Sequence, residues 1–253
     1  MKIATYNLRC VWDGGDGVNS FIHRAWMVYE KIKTETPDVI AFQEVCAEHA
    51  AFLEKMLSPE YLLLGHGRLK DYSGEGVYTA IKRDSMILSS MDIFWLSPTV
   101  YEPGSRFEEQ STCPRTCLMT LLREKATGTM LRVYNLHLDH SSESARRLGM
   151  ECTLCRVRED AAKADAEIVI LGDFNAYPDS VAISLCKAYP LVDVTSEIPA
   201  SFHAYGKRNP TVKIDYIFLS DGLANRVLEA SAWTDERNGI YLSDHYPISV
   251  VLK

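Results

Sequence analysis

Asn7, Glu44, His137, Asp139, Asp173, Asn175, Asp215, Asp244 and His245 share a setting suited to chemistry. Each lies in or at the end of a short apolar run. Asn7 follows Lys2-Ile3-Ala4-Thr5-Tyr6, Glu44 follows Val39-Ile40-Ala41-Phe42-Gln43, and Asp173 and Asn175 follow Ile168-Val169-Ile170-Leu171-Gly172. His137 and Asp139 sit in Val133-Tyr134-Asn135-Leu136-His137-Leu138-Asp139-His140, and Asp215 in Lys213-Ile214-Asp215-Tyr216-Ile217-Phe218. Asp244-His245 stands just before Ile248, Val250 and Leu252. A strand end that changes from apolar to acid, amide or imidazole is a common place for a site on an α/β scaffold. Alternation along a strand puts residues two apart on one face, so His137 projects with Asp139, and Asp173 with Asn175 if the strand runs that far.

The set is rich in carboxylate and amide oxygen, with two imidazoles and no thiolate. Hard oxygen donors suit magnesium or manganese better than zinc. Magnesium takes one or two carboxylates and completes its shell with water and substrate phosphate oxygens. Acids gathered around one such cation can build a centre for phosphoester cleavage. Each residue alone has a plainer reading. Gly172-Asp173-Phe174-Asn175 could be an Asx-turn, Asn7 a turn cap, Glu44 the cap of a helix near Cys46, Asp215 an edge charge, and Asp244-His245 a structural ion pair. Their recurrence in order favours the site.

The elements that would carry these residues follow from periodicity and punctuation. Ser20 to Thr36 reads as a helix capped by Ser20, with Ile22, Ala25, Trp26, Tyr29 and Ile32 on one face and Pro37 after its end. Cys46 to Leu57 reads as a second helix, Ser144 to Ala164 as a long third, and Asp179 caps a fourth running to Tyr189. Tyr61 to Leu64 and Tyr78 to Ile81 read as strands, and Leu118 to Arg123 with Met130 to Leu138 as a hairpin across Ala126-Thr127-Gly128. Ser97 to Pro114, with three prolines and a glycine, reads as a surface loop, and two more strands close the chain. No low-complexity segment divides the 253 residues, so one α/β domain of packed sheets with outer helices is expected.

No apolar run approaches the roughly 20 residues that span a bilayer, and the first residues open directly into a strand, so a cytoplasmic protein is expected. The seven cysteines show no disulfide framework. Cys152 and Cys155, with Leu148, follow helical spacing and read as a core face rather than a metal or redox pair. The net charge is -7, with Lys and Arg scattered, which speaks against long nucleic acid as a partner and for a small phosphoester. A local gathering of Arg9, Arg68 and Arg115 would weaken that argument.

Taken together, Thr5-Tyr6-Asn7-Leu8-Arg9, Gln43-Glu44-Val45, Asn135 to His140, Gly172 to Asn175, Ile214-Asp215-Tyr216-Ile217 and Ser243 to Pro247 resemble the endonuclease/exonuclease/phosphatase superfamily, whose fold is DNase-I-like. Local phrases, among them Phe94-Trp95-Leu96-Ser97-Pro98, Pro114-Arg115-Thr116-Cys117 and Ser201-Phe202-His203, are similar to one bacterial branch of stand-alone proteins. The resemblance implies a four-layer α/β/β/α sandwich and divalent-cation-dependent phosphoester hydrolysis. It makes Glu44 the principal ligand of magnesium or manganese, with Asn7 and Asp244 in support. Asp173 would orient or deprotonate the attacking water, and Asn175 would hold that water or a phosphoryl oxygen. His245, fixed by Asp215, and His137 would face the phosphate. Arg115, Asp139 and His203 would meet the substrate. Two positions depart from the pattern: Arg9 stands where related nucleases often carry an acid, and Gly76-Val77-Tyr78 lacks an acid that Glu75 only adjoins.

The first reading is therefore a magnesium-dependent phosphodiesterase or phosphatase acting on a small or lipid-like phosphoester. A DNA or RNA nuclease with the same centre is the alternative, and a non-catalytic binding module comes third. Substrate choice is expected to lie in the loops Asp13 to Asn19, Gly65 to Gly76, Ser97 to Pro114 and Ala200 to Pro210, with Arg68, Lys70, Arg106, Lys207 and Arg208 read as solvated.

Overall fold

The computed structural model describes residues 1–11 and 15–253; Asp13 and Gly14 of the first expected loop lie outside them. In chain order the elements are β1 (Lys2–Asn7), α1 (Phe21–Glu35), β2 (Val39–Val45), α2 (Ala47–Leu57), β3 (Tyr61–Gly65), β4 (Gly76–Lys82), β5 (Met86–Trp95), β6 (Thr116–Glu124) and β7 (Met130–His137). Then follow α3 (Glu143–Ala161), β8 (Glu167–Asp173), α4 (Val181–Ala188), β9 (Leu191–Asp193), β10 (Asp215–Ser220), α5 (Asp221–Ala224), β11 (Val227–Ala232), β12 (Glu236–Arg237), β13 (Ile240–Tyr241) and β14 (Ile248–Leu252). One sheet has the order β11-β14-β1-β2-β4-β3 and the other β5-β6-β7-β8-β10-β9. The two parallel neighbours, β1 with β2 and β7 with β8, are joined through α1 and α3.

The side chains divide into three buried layers, which is the signature of four stacked layers. Between the sheets lie Ile3, Val39, Ala41, Leu131, Val133, Val169, Leu171, Ile217 and Val250. Val28, Ile32 and Leu53 of the helices α1 and α2 cover Ala4, Tyr6, Ile40 and Phe42. Met150, Leu154, Val157 and Ile183 of α3 and α4 cover Tyr134, Leu136, Ile170, Tyr216 and Phe218. The period of two therefore sorts the central strands: odd residues face the other sheet on β1, β2, β7, β8 and β10, and even ones do so on β6 and β14, the alternate residues facing a helix or the outside. The expected α/β/β/α sandwich is the observed fold. Among the described residues no helix is long and apolar enough to cross a membrane.

Several local expectations change. Ile22 is 82% and Trp26 57% exposed. The buried face of α1 is Phe21, Ala25, Val28 and Ile32, rotated so that Arg24 points inward. Its guanidinium is wholly buried and donates to the carbonyls of Asn19, Leu242, Leu8 and Arg9. Strand β5 was not expected: its alternation breaks at Ser89-Ser90, where the register slips between Leu88 and Ser90. The cap of α4 is Ser180, which accepts from the Ile183 N–H, rather than Asp179. More than two strands follow α4, several of them only two or three residues long. On α3, Met150, Leu154 and Val157 make the core face, Cys152 is half-buried and Cys155 exposed. Among the described residues neither thiol joins a group able to hold an ion.

Helix α2 is closed by a reciprocal cap in which the Cys46 N–H donates to His49 Nδ1 at 3.0 Å, so Glu44 is not its cap. The imidazole is fully buried, 4.0 Å from the Phe21 ring, and Nε2 has no partner. Burial first, then Arg24, push its pKa down to about 3. The unfolded chain binds that proton near pH ~6.5 and the folded one does not. The contribution is present above that pH and lost as pH falls from about 6.5 toward 3. The urea midpoint is therefore expected to fall between pH 7 and pH 5 in roughly that window, and His49→Asn is expected to flatten that part of the slope. An unchanged slope in the variant would refute the assignment.

Candidate active site

The inter-sheet rows turn polar at one end. On β1 the row Ile3, Thr5 ends in Asn7; on β2, Val39 and Ala41 lead to Gln43; on β7, Leu131 and Val133 lead to Asn135 and His137. On β8 and β10 the rows reach Asp173 and Asp215, which are register partners. Gln43 Nε2 donates to Asn135 Oδ1 at 2.8 Å and Thr5 Oγ1 to Gln43 Oε1 at 3.2 Å. This satisfied amide layer separates the dry core from the acids above it. Gln43 and Asn135 thus belong to the foundation of the site, a role that strand alternation could have suggested.

Two backbone features aim the acids. Glu44 follows Gln43, so alternation alone would point it at the helices. A register slip between Phe42 and Val45 and a left-handed φ of 58° turn it back toward the seam between the sheets. Gly172 lets β8 approach β7 closely: a Cβ there would lie 1.9 Å from the Leu136 carbonyl oxygen, at a φ of 143°.

The acids are then wired together. Asn7 Nδ2 donates to Glu44 Oε1 at 3.0 Å and to Asp173 Oδ2 at 2.9 Å, while the Cys10 N–H donates to Glu44 Oε2 at 2.7 Å. The Asn175 N–H donates to Asp173 Oδ1 at 2.8 Å, and Asn175 Nδ2 lies 3.0 Å from His137 Nε2. His245 Nδ1 is 2.8 Å from Asp215 Oδ2, and its Nε2 is 3.8 Å from Asp173 Oδ2. The ligand atoms of Glu44, His137 and Asp173 lie within 4.8 Å of one another.

Electrostatics assigns different states to these groups. Burial, then Asp215, push the Asp173 carboxyl up to about 7. Burial opposes the charge of Glu44, but the N–H donors of Cys10 and Asn7 and the charged imidazole of His245 hold it well below the usual carboxylate range. Burial would deprotonate His245, yet Asp215 and Asp173 raise it to about 10, so it is an imidazolium at neutral pH. Burial and Arg115 drive His137 the other way, leaving it neutral.

These groups open into a cleft of about 710 Å³ whose lining includes Arg9, Glu44, Asp173, Asn175, Asp244 and His245. Arg115 also lines it, with Nη2 2.9 Å from His140 Nδ1 and Nε 3.9 Å from Asp139 Oδ2. Asp139 does not line the cleft. Its oxygens accept from Ser111 Oγ and from the N–H groups of Ser141 and Ser142, so it braces the wall that presents Arg115. Asn7 and Asp215 likewise stand behind the residues they hold. His203 is not part of the lining: it is buried, its ring stacks on Tyr246 at 3.9 Å, and burial pushes its pKa down to about 4. Its neighbour Ser201 does the local work, accepting from the N–H groups of Ile214 and Asp215 through Oγ.

Arg68, which reads as solvated, and Glu75, which only adjoins the expected acid position, both line the cleft as an ion pair. The loop that carries Arg68 is pinned by Trp95 Nε1 donating to the Arg68 carbonyl, and Trp95 stacks on His66. Nothing in the local sequence pattern signals that placement. Arg9, Arg68 and Arg115 do gather, but each lies beside an acid: Asp16 and Asp244, Glu75, and Asp139.

Known proteins share this architecture. A conserved protein of unknown function from Enterococcus faecalis is 28% identical, with a TM-score of 0.90, over 100% of this chain and 99% of that one. An endonuclease/exonuclease/phosphatase from Bacteroides vulgatus is 26% identical, with a TM-score of 0.89, over 100% and 98%. A mannosyl-6-phosphatase from Bacteroides thetaiotaomicron shares the fold at 23% identity, with a TM-score of 0.86, over 100% and 99%. No curated protein sequence matches the chain. The family model for the Endonuclease/Exonuclease/phosphatase family matches residues 4–245, nearly the whole length that the polar strand ends span, and the chain belongs to that family.

Proposed function

We propose that this chain, a member of a family of phosphoesterase hydrolases, is a divalent-metal-dependent hydrolase of small phosphoesters. The observation that carries the reading is the single amide of Asn7, which joins Glu44 to Asp173 and so sets a charged acid beside one of raised proton affinity. The donors fit a hard cation: Glu44 and Asp244 supply carboxylate oxygens, and burial beside Glu44 and Glu75 pushes the nearby Cys10 thiol up, so it stays a neutral, poor ligand. Magnesium or manganese there would neutralise phosphoryl charge and lower the pKa of a coordinated water. Asp173 is placed to take a proton from the attacking water, with its Oδ1 fixed by the Asn175 N–H. The His245 imidazolium, held by Asp215, and the Asn175 amide offer fixed donors where phosphoryl charge builds up. Arg115 stands at the wall for the rest of the substrate.

A cleft of about 710 Å³, with its arginines already beside acids, suits a compact substrate better than a polyanion. Chelator is expected to abolish turnover, and magnesium or manganese to restore it. The assay is a magnesium-supplemented screen over sugar phosphates, inositol phosphates, nucleotides, phospholipids and short nucleic acids. Full turnover in excess chelator, with no metal retained, would sink the metal assignment. Cleavage of nucleic acid that falls steeply with salt, alongside tight duplex binding, would promote the nuclease alternative.

A further inference from the structure

A small recess adjoins the acid centre. Glu44, Arg68, Glu75, Arg115, Thr116 and His137 line it, and all but Thr116 also line the cleft, so the two are continuous. It lies where one strand of each sheet begins: Glu75 stands just before β4, and Arg115 just before β6.

The polar groups of this recess are incompletely paired within the protein. Arg115 is only 4% exposed. Its Nη2 meets His140 Nδ1 at 2.9 Å, but the buried Nε and Nη1 find no hydrogen-bond acceptor among the described residues. Asp139 Oδ2 lies 3.9 Å from Nε, beyond hydrogen-bond reach, and the Asp139 oxygens already accept from Ser111, Ser141 and Ser142. Glu75 gives one oxygen to Arg68, while its buried Oε2 has no donor among the described residues. Leaving such groups unpaired is destabilising, and native proteins seldom do so without a reason. The backbones that present them are fixed. The Arg68 N–H donates to the Glu75 carbonyl at 3.1 Å, the Arg68 carbonyl accepts from Trp95 Nε1 at 2.8 Å, and the Arg115 carbonyl accepts from the Leu96 N–H at 2.8 Å.

The unpaired atoms are two donor nitrogens and one acceptor oxygen, and a hydroxyl, which accepts and donates at once, matches them. An anion would find the donors of Arg115 but would also face Glu75 and Glu44, each with a carboxylate oxygen within 4.8 Å of the other's. Size points the same way. The recess has about 10 Å³ of room for the centre of a water-sized group, enough for one hydroxyl and too little for a phosphate.

We infer that the recess is a hydroxyl subsite: Arg115 donates to, and Glu75 accepts from, one hydroxyl of the substrate, so the enzyme selects phosphoesters of polyols, such as sugars or inositols, over simple alkyl esters. The inference rests on the hydrolase reading above and narrows its substrate class. Glu44 and His137 belong both to the recess and to the acid centre, so the hydroxyl sits on a carbon close to the ester oxygen. An analogue without it strands charged, buried groups, which is the strongest form of discrimination a polar pocket provides.

Steady-state kinetics with magnesium on the full chain test this. Glucose 6-phosphate, glucose 1-phosphate, inositol 1-phosphate and glycerol 3-phosphate are each set beside their monodeoxy counterparts, with propyl phosphate as the simple ester. For the preferred polyol, removal of one particular hydroxyl is expected to lower kcat/KM about a hundredfold or more. Arg115→Lys and Glu75→Gln are each expected to shrink that ratio at least tenfold, because each removes one side of the hydroxyl's pairing. Turnover in which no single hydroxyl matters by more than threefold, or which favours propyl phosphate, would overturn the inference and leave the hydrolase reading standing. No turnover of any phosphoester would overturn both. An unchanged ratio in folded variants, with both substrates slowed alike, would mark Arg115 and Glu75 as structural and would also overturn it. The wild-type comparison needs no variant to fold.

Discussion

Asp173→Asn is expected to lower turnover by about three orders of magnitude, within the range typical of a lost general base, with the melting temperature little changed. The carboxyl is buried and receives Asn7 Nδ2 on one oxygen and the Asn175 N–H on the other. An amide of the same shape keeps one of those bonds and loses the proton-accepting oxygen. It also removes the negative charge that helps to keep His245 protonated. The loss should appear in kcat rather than KM, because the group is assigned to a step after binding. The readout is steady-state kinetics on the best substrate of the screen. A folded variant that retains a tenth or more of wild-type kcat would remove Asp173 from the reaction.

Much of this centre was legible from sequence because strand alternation is a strict code. Ile3, Thr5 and Asn7, like Val169, Leu171 and Asp173, share a face by counting, and the change from apolar to polar marks where the dry core ends. Glu44 shows the limit of counting. Its direction depends on a register slip and a left-handed backbone, which the residues around it do not announce. The change from apolar to acid at the end of its run singled it out, and the resemblance to a family made it the principal ligand, where periodicity would have turned it to the helices. Arg68 and Glu75 were out of reach for a different reason. Their places are set by a loop fastened to Trp95 on the other sheet, a contact between residues distant in the chain. Strand β5 escaped because it is an edge strand, and its exposed middle, Ser89-Ser90-Met91, carries no apolar period. The face of α1 was misjudged because Arg24 reads as a surface residue until its four carbonyl partners, drawn from three separate segments, are seen together.

His245 and Asp215 carry the other large expectation. His245 Nδ1 lies 2.8 Å from Asp215 Oδ2, and Asp215 is itself placed by Ser201 Oγ accepting from its N–H. With Asp215 charged, the imidazole keeps its second proton on Nε2, the nitrogen toward Asp173 and the cleft. Burial alone would strip that proton, so the acid decides the charge of the base. Asp215→Asn removes the charge while preserving the side-chain volume. Turnover is expected to drop by roughly two to three orders of magnitude, the typical cost of a lost charge-stabilising donor. His245→Gln should lose at least as much, since it removes the donor itself. Combining the two should cost little more than the larger single effect, because they act as one unit. Nitrogen-15 NMR of the histidine ring tests the cause apart from the rate. Wild-type His245 should remain doubly protonated from pH 6 through pH 8, and Asp215→Asn should bring its titration down into or below that range. A wild-type ring that titrates near the ordinary histidine value of ~6.5 would refute the imidazolium. Normal turnover in a folded His245→Gln protein would take the ring out of the chemistry altogether.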